Sequence, residues 1–213
     1  MGIAERRERE KQQRRNDILD AAERVFFSKG FNIATMDDLA EEAELSKGTL
    51  YLYFKNKEDV YLGLTQRALK QLLKMFKEAV KKPKSGIEKL KAIGYAYQQY
   101  AQSYSDYFRT IADYEVRKLK FANKKSLESQ CHQLGRQVLQ VVADAVQAGI
   151  NDGTIRSDLN PMRTAFLLQG QSTGVIQLIA TEGEHIKEFE NFDPAQLSSD
   201  FMNIIEHALK PKS

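Results

Sequence analysis

The chain has little of what a secreted, membrane-spanning or metal-dependent protein is built from. Its 213 residues include one cysteine, four prolines and no tryptophan. A single cysteine, Cys131, excludes an intramolecular disulfide and fits a reducing compartment. No apolar run approaches the ~20 residues that a membrane helix needs. The leading residues are charged rather than signal-like, so a cytoplasmic protein without a membrane partner is expected. Histidine is equally scarce. His132, His185 and His207 fall in separate predicted elements, and none has a partner at metal-ligand spacing. Cys131 and His132 are neighbours in sequence and therefore point to different faces of a helix. Phosphate loop, dinucleotide fingerprint and nucleophile elbow are all missing. No metal, no cofactor and no enzymatic activity are expected.

Period-2 alternation is missing too, which excludes a sheet. What is present is helical periodicity throughout, with 42% hydrophobic residues to build a core. Ile18, Ala21, Ala22, Val25 and Phe26 form one face of a first helix that ends at Gly30. Asn56 caps a long fourth helix, predicted from Lys57 to about Lys82, ahead of Pro83. Its apolar set is Val60, Leu64, Ala68, Leu72, Phe76 and Val80. Ser85 and Glu88 make a capping box for a fifth helix, through about Ser103. Further helices are predicted near Asp106–Leu119, from about Asn123 to Ile150, from Pro161 to about Thr181, and from Asp193-Pro194 to about Leu209. The expected fold is all-α, with about nine helices. The expected domains are residues 1–56 and 57–213.

The most informative stretch is TMDDLAEEAELSKGTLYLYFKNKEDVY, residues 35–61. Thr35 caps a short helix carrying Met36, Leu39, Ala40 and Ala43 on one face. Glu44-Leu45 turn the chain, and Ser46 caps a second short helix with Leu50 and Phe54 inward. The layout is a helix-turn-helix, whose second helix enters the major groove of double-stranded DNA. The outward side of that helix carries Gly48, Thr49 and Leu52, flanked by Tyr51 and Tyr53. So much apolar and aromatic surface on a short helix calls for a partner. Its hydroxyls suit phosphates, and Leu52 or the Thr49 methyl suits a thymine methyl. Lys47, Lys55 and Lys57 bracket the helix with positive charge.

The run SKGTLYLYFKNKEDV, preceded by ATMDDLAEEA, resembles the DNA-binding domain of TetR-type transcriptional regulators over roughly residues 15–62. The resemblance implies that Thr35, Ser46, Thr49, Tyr51, Tyr53 and Lys57 meet DNA, mostly at phosphates. It places Lys47, Gly48 and Leu52 at base-reading positions. It also implies a three-helix head, a divergent helical body and a homodimer on a palindromic operator, with repression the commoner mode. Glu44 stands where the family usually has glycine; a left-handed backbone there would cost about 1 kcal/mol. Leu52 stands where relatives are often polar.

Charge is ambiguous by total and informative by place. The net charge is +3, yet residues 1–60 carry 11 Lys/Arg against 13 Asp/Glu. The acids Asp37, Asp38, Glu41 and Glu42 sit on the supporting helix. The bases Arg6, Arg7, Arg9, Lys11, Arg14 and Arg15 crowd the leading arm, which reads equally well as a solvated helical extension or as an arm for DNA.

Two constellations mark the body. Tyr97, Tyr100, Tyr104, Tyr107 and Phe108 form an aromatic stripe, with Tyr95, Tyr114 and Phe121 nearby. Any one of these is first of all a core residue. Together they bring hydroxyls that a purely packed core avoids, and they suit a small apolar or amphipathic effector, with Asp113 and Glu115 as candidate polar handles. The second constellation pairs Gly170 and Gly174 with Phe201, Ile204, Ile205 and Ala208 of the last helix. It reads as a helix pair within one chain or between two; a short reading helix specifies too few base pairs alone, which favours a dimer. A helical DNA-associated architectural or protein-interaction module without a small-molecule effector is the rival reading.

Overall fold

The structure, a computed structural model, describes residues 2–117, 127–190 and 192–211. The helix limits expected near Leu119 and Asn123, and Phe121 of the aromatic set, lie outside the described residues. Among those described there are nine helices and no strand. They are α1 (Ile3–Lys29), α2 (Met36–Glu42), α3 (Lys47–Tyr53), α4 (Lys57–Ala79), α5 (Gly86–Ser103), α6 (Ser105–Arg117), α7 (Leu127–Asn151), α8 (Pro161–Phe189) and α9 (Gln196–Leu209). No helix among these residues is long and apolar enough to cross a membrane.

The chain divides into two compact units, residues 1–68 with 109–132, and residues 69–108 with 133–213. Helices α4, α6 and α7 each supply residues to both.

The first unit is built on α1. Its buried stripe of Ile18, Leu19, Ala21, Ala22, Val25 and Phe26 packs with Leu39, Leu50, Phe54, Val60 and Leu64, each nearly or fully buried. Gly63 lets α4 come close: a Cβ there would lie 2.9 Å from the Leu19 side chain and 3.1 Å from the Phe54 ring. Arg67 reinforces the contact by donating to Asp20 at 2.5 Å, to Glu23 at 2.6 Å and to the Asn16 carbonyl at 3.3 Å. Phe26, Phe31 and Tyr61 form an aromatic triad with centroids 4.8–5.9 Å apart. The Tyr61 hydroxyl donates to the carbonyl of Thr110 at 3.2 Å, so α6 is tied to α4.

In the second unit α5 is the central strut. Its N-terminus is capped three ways: by its own Ser85–Glu88 box, by the Asp152 carboxylate accepting from Gly86 N at 2.7 Å, and by Thr154 Oγ1 accepting from Ile87 N at 3.3 Å. Gly86 meets α7 backbone to backbone, since a Cβ there would lie 1.9 Å from Gly149 N. Gly94 makes room for the Met202 side chain of α9, since a Cβ there would lie 2.6 Å from its Sδ and Cε. Lys91 donates to Glu206 at 2.8 Å and locks α5 to α9.

Three helix ends differ from expectation. Helix α4 stops at Ala79 rather than Lys82; the chain tightens to a three-residue bond, Lys81 N to Glu78 O at 3.2 Å, before it reaches Pro83. Helix α8 continues past Thr181 to Phe189. The interior Gly183 costs about 1 kcal/mol against alanine, which does not stop a helix whose neighbour Pro194 packs beside that glycine. Helix α9 begins at Gln196, not at Asp193-Pro194, because Asp193 Oδ1 accepts from Ala195 N at 3.0 Å and forms a turn first.

Candidate nucleic-acid interface

Helices α2 and α3 are short, and each is set by its cap. Thr35 accepts from Asp38 N at 3.1 Å, while the Asp38 carboxylate accepts from Thr35 N at 2.8 Å, a reciprocal capping box. Lys29 donates to Asp38 at 2.9 Å. That hydrogen bond, followed by those from the Thr35 backbone and hydroxyl, holds the Asp38 carboxyl down at about 2. The turn runs through Ala43 and then Glu44, whose φ of 53° is left-handed; Leu45 N returns to the Ala40 carbonyl at 2.9 Å. Ser46 starts α3 by accepting from Thr49 N at 3.2 Å, with the two hydroxyls 2.8 Å apart.

Helix α3 is held from below and open above. Leu50 and Phe54 are buried. Leu52 is 81% exposed and Tyr51 50% exposed, and Tyr53 is half-buried between them and the core. Gly48 is exposed, and a Cβ on it would find no atom nearer than Ser46 Oγ at 3.9 Å. The outward face of α3 therefore carries an isobutyl group, a phenol and a bare backbone, and nothing among the described residues of its own unit covers them.

Charges around this face are arranged by ion pairs between helices. Lys47 reaches back to Asp37 at 2.6 Å, which raises its pKa and ties the start of α3 to α2. Arg24 pairs with Glu42. Arg15 places its guanidinium over the Phe54 ring at 4.2 Å and donates to the Tyr53 carbonyl at 3.3 Å, supporting the C-terminal end of α3. Lys57 lies at the start of α4, and its ammonium is turned inward. It donates to the carbonyls of Phe31 and Ala34, each at 2.7 Å, and of Asn32 at 3.4 Å, above the Phe31 ring at 4.6 Å. The resemblance places Lys57 at a DNA phosphate, and the sequence counts Arg15 among the bases of the leading arm; here both hold the head together. Neither partnership has a local signal, because the contacts join residues 23–39 positions apart.

The body residues singled out from sequence separate in space. Tyr97, Tyr100 and Phe108 are buried in the second unit, with Tyr97 between Phe76 at 5.9 Å and Phe108 at 5.6 Å. Its hydroxyl is 2.8 Å from that of Thr173. Tyr100, Tyr104 and Tyr107 stack in sequence with centroids 5.6 and 6.1 Å apart, across the break between α5 and α6. Burial raises the Tyr100 hydroxyl pKa, and the neighbouring tyrosines add to it. Tyr95 is exposed. Asp113, exposed, and Glu115, half-buried, belong to the first unit, as does the buried Tyr114. Gly170 and Gly174 lie exposed on α8, and a Cβ added to either would have no side chain or neighbouring backbone within 4 Å. Ile204 and Ala208 are exposed on α9, and Phe201 and Ile205 half-buried.

A reading helix capped by Ser46, propped by α2 and open on its outer face, carried by an otherwise helical chain, defines a helix-turn-helix DNA-binding protein. Comparison with known proteins agrees. Residues 18–64 match the family described as "Bacterial regulatory proteins, tetR family". The chain is 24% identical over 153 residues to the fatty acid metabolism regulator protein of Bacillus subtilis, covering 71% of this chain and 76% of that one. It is 26% identical to the HTH-type transcriptional repressor KstR2 of Rhodococcus jostii, covering 70% and 72%. The crystal structure of the regulator FadR from Bacillus subtilis in complex with stearoyl-CoA shares the fold, with a TM-score of 0.65 at 21% identity over 88% of this chain and 95% of that one. The helix-turn-helix of residues 18–64 is thus of the TetR type, and over most of its length the chain resembles regulators of that kind.

Proposed function

We propose that the protein is a ligand-responsive repressor that binds a palindromic operator as a homodimer. The observation that carries the DNA reading is the uncovered face of α3, with Leu52 81% exposed beside the bare backbone of Gly48. Leu52 and Gly48 supply base discrimination through apolar contact and close approach. Lys47 stands with them at a base-reading position, while Thr49, Tyr51 and Tyr53, with Thr35 and Ser46 at the helix caps, supply phosphate contacts that fix the register. Residues 1–56 act as the reading domain and 57–213 as the domain for dimerisation and effector binding. The protein works in the cytoplasm and catalyses no reaction.

The dimer reading is supported by α8, where Phe166, Leu167, Gly170, Gly174 and Leu178 make one exposed stripe at helical spacing. Small residues between large apolar ones fit a second helix at close approach. The effector reading is supported by the tyrosines of the second unit and by the likeness to a Bacillus subtilis regulator named for fatty acid metabolism and to the FadR structure from that organism solved with stearoyl-CoA. An acyl-CoA or another amphipathic molecule is therefore the class to try first. Helix α4 is covalently continuous through both units, so a ligand that shifts it changes the spacing of two reading heads, which must sit about 34–36 Å apart or a multiple of that. A ligand favouring the wrong spacing by ~3 kcal/mol lowers DNA affinity about a hundredfold.

Selection of bound sequences from a random duplex pool tests the reading. A palindromic consensus, and its release by an acyl-CoA, are expected. Binding without sequence preference, insensitive to any ligand, would identify an architectural module instead.

A further inference from the structure

The first half of α1 divides its polar side chains between two arcs, and only one arc is engaged. At ~100° per residue, Arg6, Glu10, Gln12, Gln13, Asn16 and Asp17 gather on one side. They bond along the helix: Arg6 to Glu10 at 2.8 Å, Gln12 to Asn16 at 3.3 Å and Gln13 to Asp17 at 2.8 Å. Glu5 is used too, accepting from Gly2 N at 3.1 Å. Arg7, Lys11 and Arg14 lie on the opposite arc, a turn apart. All three are exposed and, among the described residues, make no hydrogen bond or ion pair.

The free arc has a definite direction. Steps of three and four residues carry it from Arg14 into Ile18, Ala21, Ala22 and Val25, the buried face of α1. Arg15, at its edge, sits over Phe54 and donates to the Tyr53 carbonyl, at the C-terminal end of α3. The basic stripe is thus on the side of α1 that faces the reading helix. It runs on for roughly 16 Å beyond the head, at 1.5 Å per residue.

We infer that Arg7, Lys11 and Arg14 bind the phosphate backbone of operator DNA outside the bases that α3 reads, and so lengthen the footprint of each head. This rests on the DNA-binding reading of α3. Three cations at one-turn spacing suit a line of fixed anions, and duplex DNA presents one negative charge per ~1.7 Å. Continuity with the uncovered face of α3 names that duplex as the occupant. On the opposite arc Arg6 and Arg9 stand among the carboxylates Glu5, Glu10 and Asp17, so the net positive charge gathers on one side. Glu8 borders the stripe and limits it on the far side. The contacts carry no base information; they add affinity and salt dependence.

The test uses the full-length protein and fluorescence anisotropy across a salt series on two duplexes. One is the selected operator trimmed to the bases read; the other extends it by about one helical turn, roughly 10 bp, on each side. The variant Arg7→Gln/Lys11→Gln/Arg14→Gln should lower the salt slope on the long duplex by ~0.9 per lost contact, about 2.7 per head. It should leave the trimmed duplex and the base preference unchanged. Arg7→Lys/Arg14→Lys should keep the wild-type slope, and Arg6→Gln/Gln12→Ala/Gln13→Ala should shift nothing. Equal slopes for wild type and the triple Gln variant on the long duplex would overturn the inference while the DNA reading stands. A wild type that selects no sequence at all overturns the DNA reading and this inference together.

Discussion

The ammonium of Lys57 donates to the carbonyl of Ala34 at 2.7 Å, closing the turn between α1 and α2 from the start of α4. It also donates to the carbonyls of Phe31 and Asn32, so one ammonium holds three carbonyls of the turn. A lysine placed by resemblance at a phosphate is, in this geometry, a clamp on the fold of the head.

The first prediction follows from that clamp. Lys57→Ala removes three hydrogen bonds to the turn and the cation over Phe31, and should cost about 1–3 kcal/mol of head stability. The salt slope of DNA binding should change by much less than one unit, because no phosphate contact is lost. Thermal unfolding and a salt titration decide it. A slope reduced by about one with an unchanged unfolding midpoint would return Lys57 to the DNA surface.

Glu44 carries the second. Its φ of 53° costs an L-residue about 1–2 kcal/mol that glycine does not incur. Glycine gives back about 0.5–1 kcal/mol in backbone entropy. Glu44→Gly should therefore be neutral to stabilising by about 1 kcal/mol, with DNA affinity preserved. A clear loss of stability, measured by denaturant unfolding, would show that the Glu44 side chain contributes something its geometry does not display.

Much of the head was legible because its signals are local. Thr35 and Ser46 sit three residues from the amides they cap, and the inward Leu50 and Phe54 are one turn apart. The left-handed Glu44 was signalled by the resemblance, because TetR-type regulators usually carry glycine at that position. What stayed hidden depends on residues far apart in sequence. Arg67 reaching Asp20 and Glu23, Arg15 stacking on Phe54, and the Lys57 clamp are products of packing rather than pattern. Gly86 is the same kind of case. It reads as the first residue of a capped helix, and only the crossing with Gly149 shows why no side chain fits there. The break at Tyr104 follows the predicted helix limits; what the sequence does not show is that Asp113 and Glu115 belong to a different unit from the tyrosines.

A third prediction concerns pH. Asp38 and Glu206 both have carboxyls held down at about 2, the first chiefly by Lys29 and the second chiefly by Lys91, then Lys210. A depressed carboxylate favours the folded state above its unfolded pKa, near 4, and loses that contribution as pH falls through the folded value. Stability should be level from pH 7 to about 5 and should fall between about 4 and 2. Asp38→Asn should flatten the acid loss in the head alone, and Glu206→Gln in the second unit alone. Unfolding midpoints that are unchanged between pH 5 and 2 would contradict the assignment.

Base reading separates from positioning in the fourth. Leu52→Gln, or Gly48→Ala into the open space beside Ser46, should change which bases are selected. Tyr51→Phe and Tyr53→Phe should weaken all sites by a similar factor, because a phosphate contact carries no sequence information. Repeating the pool selection with each variant checks this. A silent Leu52 variant beside a Tyr53 variant with altered consensus would reverse the roles.

The last prediction tests the dimer through a residue with no role in its own chain's packing. A Cβ at Gly174 meets open space, so Gly174→Leu strains nothing within the protomer. Replacing a mid-helix glycine by a good helix former favours α8 by about 0.5–1 kcal/mol. In the proposed dimer the same change puts an isobutyl group where a second helix must come close, between Phe166, Leu167 and Leu178, which are 59%, 65% and 44% exposed. The two effects have opposite signs in different measurements. Helicity and protomer stability should hold or rise, while sedimentation shifts toward monomer and affinity for the full palindrome drops. Affinity for a single half-site should not change, since α3 is untouched. Ile204→Asp on α9, where the side chain is 65% exposed, should act in the same direction. If both variants remain dimeric and bind the palindrome as the wild type does, the two protomers meet through a surface other than the α8 stripe.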